Sequence, residues 1–244
     1  MSYEFIQSEY DFYIQEAKAI REIFKRSYGD EYSPDGVITP KSMFVKNRPR
    51  VIFLMKENRN KGSWSLVDEI ENDYFIVPHK NNSSKSWAPN ICRTFHYLIT
   101  EEFWEKVPQK DEYKVDGLGY INVKKRDEGE KQSVDFDLDN YAKNDAENLQ
   151  RQIISCKPDV VFCCQSGEQQ LARLSTIMQQ KFNTPVNNIP FAYEFNYQYQ
   201  AQSCKAIAVK WFHPSRNKLS INEMKRRLTL LKPLIDQINL RNSG

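Results

Sequence analysis

The chain has 244 residues, enough for one large hydrophobic core or two small ones. With 40% hydrophobic and 13% aromatic residues but only 8 Gly and 11 Pro, it is neither collagen-like, nor low-complexity, nor a solvating tail. The 35 Lys and Arg against 32 Asp and Glu leave a net charge of +3, which selects no class of partner by itself.

In chain order, Tyr13, Ala17, Ile20 and Phe24 step by four and three along one helical face, and Tyr28-Gly29-Asp30 ends that helix. Past a loop with Pro34, Gly36 and Pro40, the run Val51–Met55 reads as a short buried strand. Ile91, Phe95 and Leu98 predict a helix from Pro89 to Ile99, and Leu118–Val123 a second strand. Asp139 is the expected N-cap of a helix carrying Ala142, Ala146, Leu149 and Ile153, stopped by Lys157-Pro158. Asp159–Cys164 makes a third strand, followed by a helix from Glu168 with Leu171, Leu174, Met178 and Phe182 on its face. Ala206–Val209 is the fourth strand, and the last helix has the cleanest period, through Ile221, Met224, Leu228, Leu231, Ile235 and Ile238.

Short apolar strands that alternate with amphipathic helices need burial on both sheet faces. The expected fold is therefore α/β: a three-layer sandwich with a four-stranded parallel sheet between helices, in a single domain whose first 45 residues form an N-terminal helical extension. No window reaches the roughly 18 apolar residues of a membrane span, and the opening is acidic where a secretory leader would be basic and then apolar. A cytoplasmic protein with no membrane partner is expected. Cys92, Cys156, Cys163, Cys164 and Cys204 are an odd count without CxxC spacing, so they read as reduced core thiols and no metal is expected.

Charge is distributed unevenly. Lys205, Lys210, Arg216, Lys218, Lys225, Arg226, Arg227 and Lys232 face one acid, Glu223, whereas positions 127–147 are mostly acidic. One end suits phosphate and the other does not, although two solvated surfaces would look the same.

In parallel sheets, ligand-contacting residues gather just past the carboxyl ends of the strands. Those positions hold Lys56-Glu57-Asn58 after the first strand and Asn122 with Lys124-Lys125-Arg126 after the second. Gln165-Ser166-Gly167 follows the third, and His213-Pro214-Ser215-Arg216 the fourth. A carboxylate, a carboxamide and an imidazole meeting on one rim would suit binding and hydrolysis of something with a hydrogen-bonding edge.

In that order, the segments VIFLMKEN (51–58), GYINVKK (119–125), DVVFCCQSG (159–167) and HPSR (213–216) resemble the uracil-DNA glycosylase superfamily over roughly residues 50 to 220. His-Pro-Ser directly after a strand is the most specific match. The first motif departs from the usual forms: Met55 stands where Gly is usual, Lys56 and Glu57 where Gln and Asp occur, and Asn58 where Pro occurs. The resemblance implies a glycosylase-like hydrolase acting on uracil or a related damaged base in DNA, as a monomer without cofactor or metal.

It also implies roles. Glu57 would orient water and stabilise a cationic sugar, and a neutral His213 would donate to the base oxygen as negative charge builds there. Asn122 would pair with the pyrimidine edge, with Lys56 and Asn58 beside it and Phe75, or Trp87, stacked on the flipped base. Ser166, Ser215, Arg216, Lys218, Lys124 and Lys125 would hold DNA phosphates, and Leu219 would fill the gap left by the base.

Each residue also has a plain structural reading: Glu57 as a solvated acid, Asn122 as a turn cap, Phe75 as core, the basic trio as a solvated loop. Two other functions fit the same pattern. One is a nucleoside hydrolase or deoxyribosyltransferase on free nucleosides; the other is an inactive nucleic-acid-binding module that kept the pocket.

Overall fold

The computed structural model describes residues 4–57, 87–105, 115–126, 134–164, 167–212 and 220–243. Its helices are α1 (Gln7–Tyr28), α2 (Trp87–Thr100), α3 (Asp135–Asn144), α4 (Ala146–Ser155), α5 (Gly167–Met178) and α6 (Ile221–Ser243). The strands are β1 (Gly36–Val37), β2 (Val51–Glu57), β3 (Gly119–Lys124), β4 (Val160–Cys163), β5 (Ala192–Tyr199) and β6 (Gln202–Lys210).

These strands form one six-stranded sheet in the order β1-β3-β2-β4-β6-β5. The four strands expected from the sequence are the four in the middle, paired in parallel. The sheet as a whole is mixed and two strands wider than expected, because β1 and β5 add antiparallel edges. Two residues of β1 leave no period to read. β5 does have one: Tyr193, Phe195, Tyr197 and Tyr199 are buried while Asn196 and Gln198 are exposed, the alternation of a strand with one wet face.

Both faces are covered. α2 contributes Ile91, Cys92, Phe95 and Leu98, and α6 contributes Met224, Leu228, Leu231, Ile235 and Ile238, to the core on one side. On the other, α1 (Tyr13, Ile20, Phe24), α4 (Leu149, Ile153) and α5 (Leu171, Leu174, Ile177, Met178) pack against Ile52, Leu54, Ile121 and Val161. The first helix is thus part of the same core as the strands. All four residues of β4 are 0% exposed, which explains why that segment is apolar on both faces instead of alternating.

The helix expected across 139–153 is two helices. They meet at Asp145, which accepts the Tyr28 hydroxyl at 2.6 Å. Asp139 is consequently not an N-cap: it lies inside α3, where its carboxylate accepts from Arg173 Nε at 2.7 Å, and the cap position is Val134. α5 stops at Met178 because Gln179 takes a φ of 53°, so Phe182 lies beyond it and packs edge-on against Phe195.

All five cysteines are buried and unpaired, and burial pushes the Cys92 and Cys156 thiols up to about 12. They stay protonated at neutral pH. Among the described residues, no helix is long and apolar enough to cross a membrane.

Phe162 sits at the centre of this arrangement, stacked on Phe53 at 5.1 Å and edge-on to Trp211 at 5.0 Å. Phe162→Ala is expected to destabilise the fold by about 3–5 kcal/mol through lost burial and a residual cavity. Urea denaturation should show a lower midpoint with an unchanged slope.

Candidate functional site at the carboxyl rim of the sheet

Register sets the rim. On β2 and β3, Met55 lies opposite Asn122 and Glu57 opposite Lys124, so the ends of the two strands finish side by side. Across the sheet, Leu54 pairs with Cys163 and Cys163 with Lys210, which brings the ends of β4 and β6 to the same edge.

Asn122 is 1% exposed. Its backbone N–H donates to Asp35 Oδ2 at 2.6 Å, while its side-chain Oδ1 is buried with no hydrogen-bond partner among the described residues. Leaving a buried carbonyl unsatisfied costs about 1–3 kcal/mol, so such an atom marks a place where a donor is wanted. A turn cap would have its oxygen engaged.

The basic trio does three different things. Lys125 is wholly buried, and its ammonium lies 2.6 Å from both oxygens of Asp35, which also accepts from Gln152 Nε2 at 2.8 Å. Burial lowers its pKa against the opposing pull of Asp35. The expected phosphate contact from Lys125 is replaced by an internal ion pair, because strand alternation points this residue inward to the α1 and α4 side, where Phe24 lies 5.6 Å away. Lys124 is 2% exposed, with its ammonium 5.3 Å from the Tyr141 ring. Only Arg126 is open to solvent, paired with Glu31 at 2.5 Å.

A second network closes around the end of β2. Gln170 Nε2 donates to the Met55 carbonyl at 2.9 Å, and Gln170 Oε1 accepts from Arg173 Nη1 at 3.1 Å. Arg173 then reaches Asp135 Oδ1 at 2.9 Å and Asp139, and Asp135 returns to Lys56 at 3.5 Å. Lys56, expected beside the base, is thereby mostly buried and turned toward α3. Gln170 and Arg173 were not anticipated as site residues. Their signal was present: with Leu174 and Ile177 they share an i, i+4 face that should be apolar throughout.

Arg173 holds the Asp135 carboxyl below its ordinary value, with Lys56 acting in the same direction. A carboxyl lowered on folding contributes stability above its unfolded pKa, about 3.9, and loses it as pH falls through the lower folded value. Asp135→Asn should therefore lower stability at neutral pH and flatten the acid limb of the stability curve below about pH 4. Urea midpoints measured across that range test it.

At β6, Lys210 pairs with Glu168 at 2.6 Å and lies over the Tyr193 ring at 4.9 Å. Much of the basic C-terminal stretch is likewise engaged locally: Arg226 and Arg227 with Glu223, Lys232 with Asp236 and Glu101, Lys205 with Glu194.

Several expected site residues lie outside the described residues: Asn58, Phe75, Ser166, His213, Ser215, Arg216, Lys218 and Leu219, together with the side chains of Glu57 and Trp87. Among the described residues, no group of three or more His, Cys, Asp or Glu is arranged to hold a metal ion. Comparison with known proteins gives no family model that matches this chain and no matching curated sequence.

Proposed function

We propose that this chain is a DNA glycosylase-like hydrolase that cleaves the N-glycosidic bond of uracil or a related damaged base in DNA. The observation that carries the reading is the buried, unengaged carbonyl oxygen of Asn122, one strand away from the end of β2, where Glu57 stands. A pyrimidine imide N–H is the kind of donor that oxygen lacks, and base flipping is the way to bring it there.

The chemistry then divides between opposite charges. As the bond breaks, the sugar becomes cationic and the base anionic. Glu57 serves the sugar side by orienting water, and its carboxylate stabilises the developing cation. His213, directly after Phe212 in the sequence, serves the base side by donating a hydrogen bond to the leaving oxygen. Asn122 selects the base and Arg216 and Lys218 hold the flanking phosphates. Only one carboxylate is needed, unlike the two-carboxylate sugar hydrolases.

The test uses labelled oligonucleotides carrying uracil, hypoxanthine or xanthine, single- and double-stranded, followed by alkali to reveal abasic sites. Strand scission with one of these bases is the expected result. Cleavage of a free deoxynucleoside but of no oligonucleotide would replace the reading with a nucleoside hydrolase. Salt-sensitive DNA binding without any product would replace it with a binding module.

A further inference from the structure

β5 is an edge strand of the sheet, and a cavity of about 400 Å³ opens along it, between α4 and the end of α5. Its apolar part is Ile154, Met178 and Tyr197. Asn196 and Gln198 also line it; their side chains alternate away from Tyr197, so they present the backbone edge of the strand.

That edge is already half occupied by a substitute. β5 lies opposite β6 from Ala192 to Tyr199. Asn196 bonds to Gln180 and its opposite number Lys205 to Asn242, so that pair is not bonded to each other, and by the alternation of an antiparallel ladder the N–H and C=O of Gln198 point outward as those of Asn196 do. Gln180 uses its carboxamide as a neighbouring strand would use a peptide group: Oε1 accepts the Asn196 N–H at 3.1 Å and Nε2 donates to the Asn196 carbonyl. The outward N–H and C=O of Gln198 have no partner among the described residues. Asn242 does the same inside the fold, pairing with the Lys205 N–H and C=O where β6 runs past the start of β4, but there the group is buried. Gln180 is half-buried at an open edge and can be displaced.

We propose that this groove takes an extended, uncharged peptide segment of a partner as a seventh strand, with the Gln180 carboxamide standing in for it when it is absent. The occupant follows from the walls. None of the lining side chains carries a charge, so a charged segment would be desolvated without compensation. The group now seated on Asn196 is itself an amide, and Ile154, Met178 and Tyr197 offer an apolar seat for one side chain of the incoming strand. Main-chain bonds would supply affinity and the apolar seat would supply selectivity. The inference is independent of the reaction at the carboxyl rim.

The probe is the peptide acetyl-QVQVQ-amide, titrated into the full chain while backbone amide resonances are followed. Saturable shifts centred on Asn196 and Gln198 are expected. Gln180→Ala should tighten binding about tenfold, since the stand-in no longer competes with roughly two hydrogen bonds. Gln198→Pro removes an outward N–H without touching the ladder to β6 and should abolish binding. No saturable shift at millimolar peptide, read in the unmodified chain whether or not the variants fold, overturns the proposal. So does equal binding of the same peptide methylated at alternate backbone nitrogens. Self-association of Gln180→Ala without peptide binding also overturns it, by making the occupant a second copy.

Discussion

His213→Ala should lower abasic-site formation about 10²–10³-fold, the usual loss when one donor to a developing oxyanion is removed. DNA binding should persist, because phosphate contacts and not the leaving-group donor dominate affinity. Glu57→Ala should also abolish product, through the sugar side. Asn122→Ala acts differently, weakening discrimination among bases by taking away the carbonyl proposed to meet their edge. Single-turnover cleavage of uracil-containing oligonucleotide, with binding followed by anisotropy, separates these effects. If both His213→Ala and Glu57→Ala cleave at the unmodified rate, the mechanism is wrong.

Lys125→Met should cost about 3–5 kcal/mol, because it strands the Asp35 carboxylate in a wholly buried position without its cation. Asp35 would retain the Asn122 N–H and Gln152 Nε2, which are neutral donors and cannot replace an ammonium. The double variant Asp35→Asn/Lys125→Met should recover much of the loss, since a neutral pair avoids the desolvation of two ions. Denaturant midpoints at neutral pH give both numbers. A phosphate-binding lysine would behave otherwise: stability would hold, and the salt dependence of DNA binding would fall by about one unit.

This ion pair matters beyond stability. Asp35 immediately precedes β1, Lys125 follows β3 and Gln152 is on α4, so one carboxylate ties the sheet edge to the helix layer. The same carboxylate takes the backbone N–H of Asn122 and so fixes the strand end that carries the proposed base reader. Loss of Lys125 is therefore expected to disturb the rim as well as the core.

Hydrophobic periodicity alone located the four central strands and the main helices, since burial of an apolar face is a local property of spacing. Val160–Cys163 is apolar at every position because both its faces are covered, and the last helix keeps its register across Pro233 because its stripe is continuous. Asn122, expected just past the second strand, lies inside β3, two residues before its end. What spacing could not decide is where charged side chains go. Lys124, Lys125 and Arg126 are adjacent and chemically alike, yet one lies buried beside an aromatic ring, one is locked to Asp35 and one meets Glu31 at the surface. Arg173 and Gln170 interrupt the apolar face of their helix in the sequence, but what they bond to shows only when the end of β2 is set against them. The partners that settle these assignments are distant in sequence, Asp35 for Lys125 and Met55 for Gln170, and come close only when the sheet closes; burial of a charge is settled by the company it finds there.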